Sequence, residues 1–313
     1  MDSRPHVIFG TGPVGCWTAR SLVERGLVVR AVNRSGRRPE LLPAEVDMVA
    51  ADVSDPQQAV AVAAGAGVVY QAMNPPYDKW QALFPGLQAS ALAAAKAAEA
   101  RYVSIENLYM YDSSAVMTED SPQRPVSKKG ELRRRMAEEV AAAHERGDVQ
   151  AAQLRSADYY GPGVTESAVG ELVVGRLLAG KKAQVGGSAT QPHSYAYIED
   201  VGRAAAELGV RDEAVGAVWF APHAPELTQG DMVVGICREL GREPALSVIS
   251  PTMMRLVGLF SPGAKETVEM LYEFTQPFVV DASRIEGEFG LTATPSDEGI
   301  RRTVAWWTSR GGA

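Results

Sequence analysis

The stretch Val7-Ile8-Phe9-Gly10-Thr11-Gly12-Pro13-Val14-Gly15 restricts the fold more than any other part of this 313-residue chain. An apolar run ends in G-x-G-x-x-G, and an amphipathic segment from Val14 to Arg25 follows at once. The pattern predicts a buried strand, a tight turn and a helix. Gly10 lets the backbone turn, Gly12 lets an anionic group approach, and Gly15 lets the helix pack closely on the strand. Unpaired N–H groups and the positive dipole end of the helix then face that group. With 30 glycines in 313 residues, chance supplies about 0.3 such spacings, so the context carries the reading rather than the spacing. The ligand implied is the pyrophosphate of a dinucleotide, resting on Gly10, Gly12, Pro13, Val14 and Gly15; a purely structural glycine turn is the plain alternative.

Short strands and helices alternate from here to Gly163. Strands are expected at 27–33, 46–53, 67–73, 101–106 and 149–154, with a long Ala-rich helix from about Trp80 to Ala100 and a charged helix ending near Arg146. That rhythm means βαβ units and a parallel sheet. The fold class expected is α/β, a Rossmann-type doubly wound parallel sheet with a smaller, discontinuous C-terminal substrate lobe. The dinucleotide-binding domain is read as 1–163, with a later segment of about 193–221 returning to it, and 164–313 as mainly the substrate lobe. Helical segments are expected at about 165–180 and 229–241. Met253, Met254, Phe260, Met270, Tyr272, Phe274 and Phe278 are read as core that could also line an apolar pocket.

The strand ends carry the chemistry. An NAD site places an acidic residue about 20 positions past the glycines, on the ribose hydroxyls. Here that place holds Asn33, followed by Arg34-Ser35-Gly36-Arg37-Arg38. Without the carboxylate a 2′-phosphate is not repelled, and Arg34 with Arg37 or Arg38 could fork onto it. NADP is therefore expected rather than NAD, with Asn33, Arg34, Ser35 and Arg38 at the adenosine end. Asp52, beside Val53, could accept from an adenine amino group or cap the helix beginning near Pro56. Ala72, Met73 and Asn74 at the end of the fourth strand, and Ser156 after the sixth, complete the expected cofactor contacts.

A net charge of −7 and a pI near 5.3 argue against a nucleic-acid or anionic-membrane surface, leaving a small-molecule substrate as the expected partner; a homodimer is compatible with the sequence. Two cysteines, Cys16 and Cys237, and no signal or transmembrane pattern point to a cytoplasmic setting. Cys16 is read as a packing residue. His6, His144, His193 and His223 show no metal-ligand spacing, so no metal is expected; His193 could reach the cleft from the small lobe.

Gly10–Gly15, Ala51-Asp52-Val53, Arg155 to Gly163 (similar to R-P-x-N-x-Y-G-P-G) and Tyr197-Ile198-Glu199-Asp200-Val201 (similar to Y-V-x-D-V) together resemble the extended short-chain dehydrogenase/reductases, in particular their NAD-dependent epimerase/dehydratase-like branch. The resemblance runs over nearly the whole chain. It implies a seven-stranded Rossmann domain, a small C-terminal substrate lobe and an active site between them. It also implies a catalytic Ser or Thr four residues before the Tyr of V-Y-G, and Y-x-x-x-K, whose Tyr is the general acid/base and whose Lys holds the ribose. This chain departs from both: Asn107 falls at the hydroxyl position, and Lys129-Gly130-Glu131-Leu132-Arg133 puts Lys for Tyr and Arg for Lys.

The candidates for proton transfer are then Lys129, which could donate directly and also bind the cofactor ribose, and the phenols Tyr109 and Tyr111, whose pKa a nearby cation would lower. Asn107 is read as an orienter. Three functions stay open: an NADPH-dependent reductase of a carbonyl or activated alkene in a small, fairly apolar metabolite; a redox-neutral epimerase, dehydratase or isomerase; and a non-catalytic nucleotide-responsive regulator.

Overall fold

A computed structural model describes residues 3–253 and 268–311. Seven parallel strands form the central sheet in the order β10-β6-β5-β4-β1-β2-β3. They are β1 His6–Phe9, β2 Val29–Asn33, β3 Asp47–Ala50, β4 Val68–Gln71, β5 Arg101–Glu106, β6 Gln150–Arg155 and β10 Val218–Phe220. Because side chains alternate along a strand, the sheet feeds two cores. Val7, Phe9, Val69 and Tyr102 point to one face, where the alanines Ala59, Ala63, Ala91, Ala94 and Ala95 let helices approach closely. These belong to α2 (Pro56–Ala63) and α3 (Trp80–Ala97), and α4 (Lys128–Glu145) follows on the same face. Ile8, Tyr70 and Val103 point the other way, onto α1 (Pro13–Glu24) and α6 (Ile198–Val210). The latter two helices touch backbone to side chain: a Cβ at Gly202 would stand 2.7 Å from the Cβ of Trp17.

The second lobe is built around Val173, Leu177, Val185, Val233, Ile236 and Val304. A π-helical turn, Gly170–Gly175, runs into the short α5 (Arg176–Leu178); β8 (Ala183–Gly186) pairs with β11 (Leu246–Ile249); α7 is Gln229–Glu239. Later come α8 (Tyr272–Thr275), α9 (Ser283–Phe289) and α10 (Ser296–Gly311). Between the lobes, β7 (Asp158–Tyr160) pairs with β9 (Tyr195–Tyr197), and the chain returns through α6 to add β10 to the edge of the main sheet.

Several local expectations shift. The helix after the glycine loop starts one residue early, with Pro13 at its first position and Gly12 as its cap. Asp55, not Asp52, caps α2, accepting from Gln57 N at 2.9 Å. Asp52 instead closes a turn onto Ser54. The helix expected at about 165–180 begins late, at Gly170, and opens with an underwound π-helical turn. Of the aromatic tail, Met270 and Phe278 are buried, Tyr272 and Phe274 are half-buried, and Met253 is exposed; Met254 and Phe260 lie outside the described residues. Among the described residues no helix is long and apolar enough to cross a membrane.

Candidate cofactor cleft and active site

All seven strands run the same way, so their carboxyl ends, and the loops after them, share one edge of the sheet. The glycine loop stands at its centre, after β1. Gly10 has φ +103°, and a Cβ on it would meet the Ala72 carbonyl oxygen at 2.6 Å and Met73 N at 2.9 Å. At Gly15 a Cβ would stand 2.0 Å from the Gly10 oxygen. The protein's own packing therefore requires both glycines. Gly12 is different: its backbone is extended (φ −69°, ψ −176°), and nothing lies within 4 Å of where its Cβ would be. Neither conformation nor packing calls for glycine there, and the absence of a side chain leaves the approach to the α1 N-terminus open. Cys16, in the first turn behind it, donates to the Thr11 carbonyl, and burial pushes its thiol up to about 11; it packs rather than reacts.

At the adenosine end, Asn33 works as scaffold. Its amide donates to Thr11 Oγ1 at 2.8 Å and to the Arg37 carbonyl at 2.9 Å, while its oxygen accepts from the Ser35 N–H and hydroxyl. Arg38, expected to fork onto a 2′-phosphate, instead donates to the carbonyls of Pro43 (2.6 Å) and Val46 (2.7 Å). These two carbonyls hold both arms of its guanidinium and turn it away from the expected fork. Arg34 is exposed, and among the described residues no hydrogen bond or ion pair holds it. Its charge acts on Asp52, whose carboxyl is lowered first by its bonds to Ser54 and then by Arg34. Val53 is buried, Ala72 and Met73 are half-buried, and Asn74 is exposed beside them.

The opposite wall is where the expected catalytic residues meet. Ser127 caps α4 by accepting from Gly130 N, which puts Lys129 in the first helical turn. Gly130 is small by necessity, since a Cβ there would stand 2.2 Å from the Tyr109 carbonyl. Lys129 is 2% exposed; its Nζ donates to Glu269 Oε1 at 3.0 Å and lies 4.5 Å from the centre of the Tyr77 ring. Tyr77 lies beside Tyr109, whose ring stacks on Trp80. Asn107 Oδ1 accepts from Tyr109 N at 3.3 Å, closing the turn that aims this phenol.

Two phenol expectations change. The Tyr109 hydroxyl is raised well above its ordinary range rather than lowered: burial dominates, and the Glu273 carboxyl adds to it. Tyr111 leaves the wall altogether. It is 1% exposed and its hydroxyl accepts from Arg155, whose buried guanidinium also donates to Glu106 at 3.0 Å. A buried cation needs acceptors on every side, and Tyr111 is one of them; burial raises its phenol, with Arg155 opposing. Ser156 likewise turns inward, donating to the Ala157 carbonyl at 3.2 Å.

The structure adds residues that sequence reasoning left out of the site. Arg133 is buried against the Phe84 ring, donates to the Ile105 carbonyl at 3.4 Å and keeps an Nε with no partner among the described residues. Its place in K-x-x-x-R was its signal. Glu269 and Glu273 join from α8 and the turn before it, about 140 residues from Lys129 in sequence, where no local pattern announces them.

A model of the NAD-dependent epimerase/dehydratase family matches residues 7–216. The chain belongs to that family. No curated protein matches it significantly. Among solved structures, UDP-glucuronic acid 4-epimerase from Bacillus cereus, in complex with UDP-glucuronic acid and NAD, is 16% identical over 98% of this chain and 99% of that one, with a TM-score of 0.79. MoeE5 in complex with UDP-glucose and NAD is 22% identical over 99% and 100%, with a TM-score of 0.77. A UDP-galactose 4-epimerase is 16% identical over 98% and 99%, with a TM-score of 0.76. These likenesses are of fold. With the family match, they make this epimerase/dehydratase family member an NAD(P)-dependent enzyme of the short-chain dehydrogenase type.

Proposed function

We propose that the protein is an NADPH-dependent reductase acting on a carbonyl, or an activated alkene, of a small and fairly apolar metabolite in the cytoplasm. The observation that carries the cofactor choice is the end of β2, where an amide stands in place of the acid and the exposed Arg34, with Arg37 near it, is left for a 2′-phosphate while Arg38 is tied to carbonyls. A bound nicotinamide supplies hydride. Gly12 admits the pyrophosphate, and Asp52 offers a carboxylate oxygen to the adenine amino group. Lys129 holds the substrate oxygen, donating a hydrogen bond as negative charge develops there, with Tyr109 beside it as a neutral donor. Arg133 sets a fixed positive charge under the same wall. Tyr77, Trp80 and Tyr272 give the substrate a mainly aromatic surface. Because Lys129 is bonded to Glu269, substrate binding exchanges that bond for one to the substrate oxygen.

The test is a titration of the purified protein with NADPH and NADH, followed by NADPH consumption against aldehydes, ketones, quinones and enones. Preference for NADH, or tight NADPH binding with no turnover of any of them, refutes the reading. Family membership favours a second reading, a redox-neutral epimerase or dehydratase acting on a hydroxylated substrate. It would show as substrate conversion with no net change in bound cofactor.

A further inference from the structure

Asp158 opens β7, just past the carboxyl end of β6, and His193 reaches it from the loop before β9. His193 Nε2 lies 3.0 Å from Asp158 Oδ2, and Nδ1 lies 3.1 Å from the Glu273 carbonyl oxygen. The imidazole is stacked between Phe274 and Phe278, with ring centroids 4.8 and 5.0 Å away, and tilted against Tyr195 at 4.6 Å. A carbonyl oxygen only accepts, so Nδ1 carries a proton. Nε2 and Oδ2 would repel as two lone pairs, so they share a second one. The His193 side chain is 2% exposed and that of Asp158 is 23%, which makes the carboxyl the accessible member of the pair.

Apart from the Arg133 guanidinium and the Lys129–Glu269 ion pair, the wall around this pair is lined by phenols and the Glu273 carboxyl. Burial raises the phenols of Tyr77, Tyr109, Tyr159, Tyr195 and Tyr272, and burial together with Asp158 raises the Glu273 carboxyl. Lys129 and Glu269 are matched in their own ion pair. In the sheet, β6 stands three strands from β1, about 14 Å at ordinary strand spacing, on the side away from Asn33 and Arg34. A dinucleotide with its pyrophosphate at Gly12 and its adenosine toward β2 and β3 extends its other half toward β6.

Resting on the cofactor reading above, we infer that the Asp158–His193 pair is the acid–base group of the site, and that its shared proton follows the oxidation state of the nicotinamide. In reduction, the hydride bonds to the carbonyl carbon, the C=O π pair moves onto oxygen, and that oxygen takes the shared proton. The dihydronicotinamide is oxidised and the carbonyl reduced; the pair, one proton poorer, is left net negative beside a ring that has become positive. Alcohol oxidation runs the same transfers backward. Asp158 is then a catalytic residue and His193 its positioning residue, while Lys129 and Tyr109 hold the oxygen.

The test needs no substrate. Dissociation constants for NADP⁺ and NADPH are measured by tryptophan fluorescence at pH 7 in the full-length wild type, Asp158→Asn and His193→Gln, and their ratio is compared. Asp158→Asn removes the negative end of the pair and weakens NADP⁺ relative to NADPH by roughly fivefold. His193→Gln keeps a donor for the carboxylate but removes the countercharge, so the ratio moves by a similar factor the other way. A merely structural role moves both cofactors together and leaves the ratio alone. A ratio unmoved in both variants, or moved the same way in both, overturns the inference while leaving the cofactor reading standing; a wild type that binds neither cofactor overturns both. Where Asp158→Asn fails to fold, ¹⁵N shifts of the His193 imidazole in the wild-type NADP⁺ and NADPH complexes decide it: a proton's difference between them supports the inference, and identical shifts overturn it.

Discussion

Replacing Gly12 and Gly15 separately by alanine asks whether the loop is shaped by its own packing or by a ligand. At Gly15 the new Cβ would sit 2.0 Å from the Gly10 oxygen, and both atoms belong to backbone that cannot swing aside. Overpacking of that kind costs about 3 kcal/mol or more. At Gly12 the methyl enters open space with φ −69°, which any residue adopts. Alanine is the poorer helix cap by up to about 1 kcal/mol. The smaller entropy of its unfolded chain returns roughly 0.4–1 kcal/mol, so the net change in stability is near zero. Calorimetry should place Gly12→Ala within about 3 °C of the wild type and Gly15→Ala well below it. Cofactor titration should then show Gly12→Ala weakened by at least tenfold, about 1.4 kcal/mol, because its methyl occupies the approach to the pyrophosphate. Wild-type affinity in a folded Gly12→Ala protein would refute the assignment of this loop as a phosphate cradle.

The two arginines of the basic loop should separate. Arg34→Ala is expected to weaken NADPH by at least tenfold with NADH unchanged, while Arg38→Ala lowers the melting temperature through the bonds lost at the Pro43 and Val46 carbonyls and leaves the NADPH:NADH preference alone; titration and calorimetry check both. Lys129→Ala should cut turnover by roughly 10²-fold, and Tyr109→Phe by about tenfold, with cofactor affinity nearly constant, as steady-state kinetics would show. Burial, with the Asp158 carboxyl, holds Glu273 well above the ordinary carboxyl range near 4.3, so above that range the folded chain binds a proton that the unfolded chain releases. The contribution of Glu273 is therefore complete at low pH and falls as pH rises, until the folded group itself ionises. Glu273→Gln should accordingly flatten the decline in melting temperature between pH 5 and 8, and an unchanged slope would show that Glu273 is not protonated in the folded protein.

The sheet was readable because its strands are short apolar runs separated by turn residues, and because parallel strands put every informative strand end on one edge. Asn33 and Arg34 could be singled out from their distance to the glycines alone. The assignment of Asp52 as a cap failed because Asp55 lies one turn closer to Pro56 and offers the same chemistry. Arg38 misled for a related reason: charge is visible in a sequence, but the carbonyls of Pro43 and Val46 that absorb it are not. Tyr111 looked as available as Tyr109, since both follow β5, and only the buried Arg155 shows which phenol turns inward. Glu269, Glu273 and the aim of His193 depend on how the second lobe folds back over the sheet, which no local pattern encodes.

The hydrogen bonds of Asn33 bear on how cofactor preference can be redesigned. Its amide group donates to the Thr11 hydroxyl and to the Arg37 carbonyl; the hydroxyl can turn and donate to a carboxylate, but the carbonyl cannot. Restoring an acid at the end of β2 would thus break the bond that closes the basic loop in the same stroke that it invited NAD. Arg34 stands outside that lattice of bonds. Under the NADPH reading, position 34 is one that an engineer can vary without breaking that network.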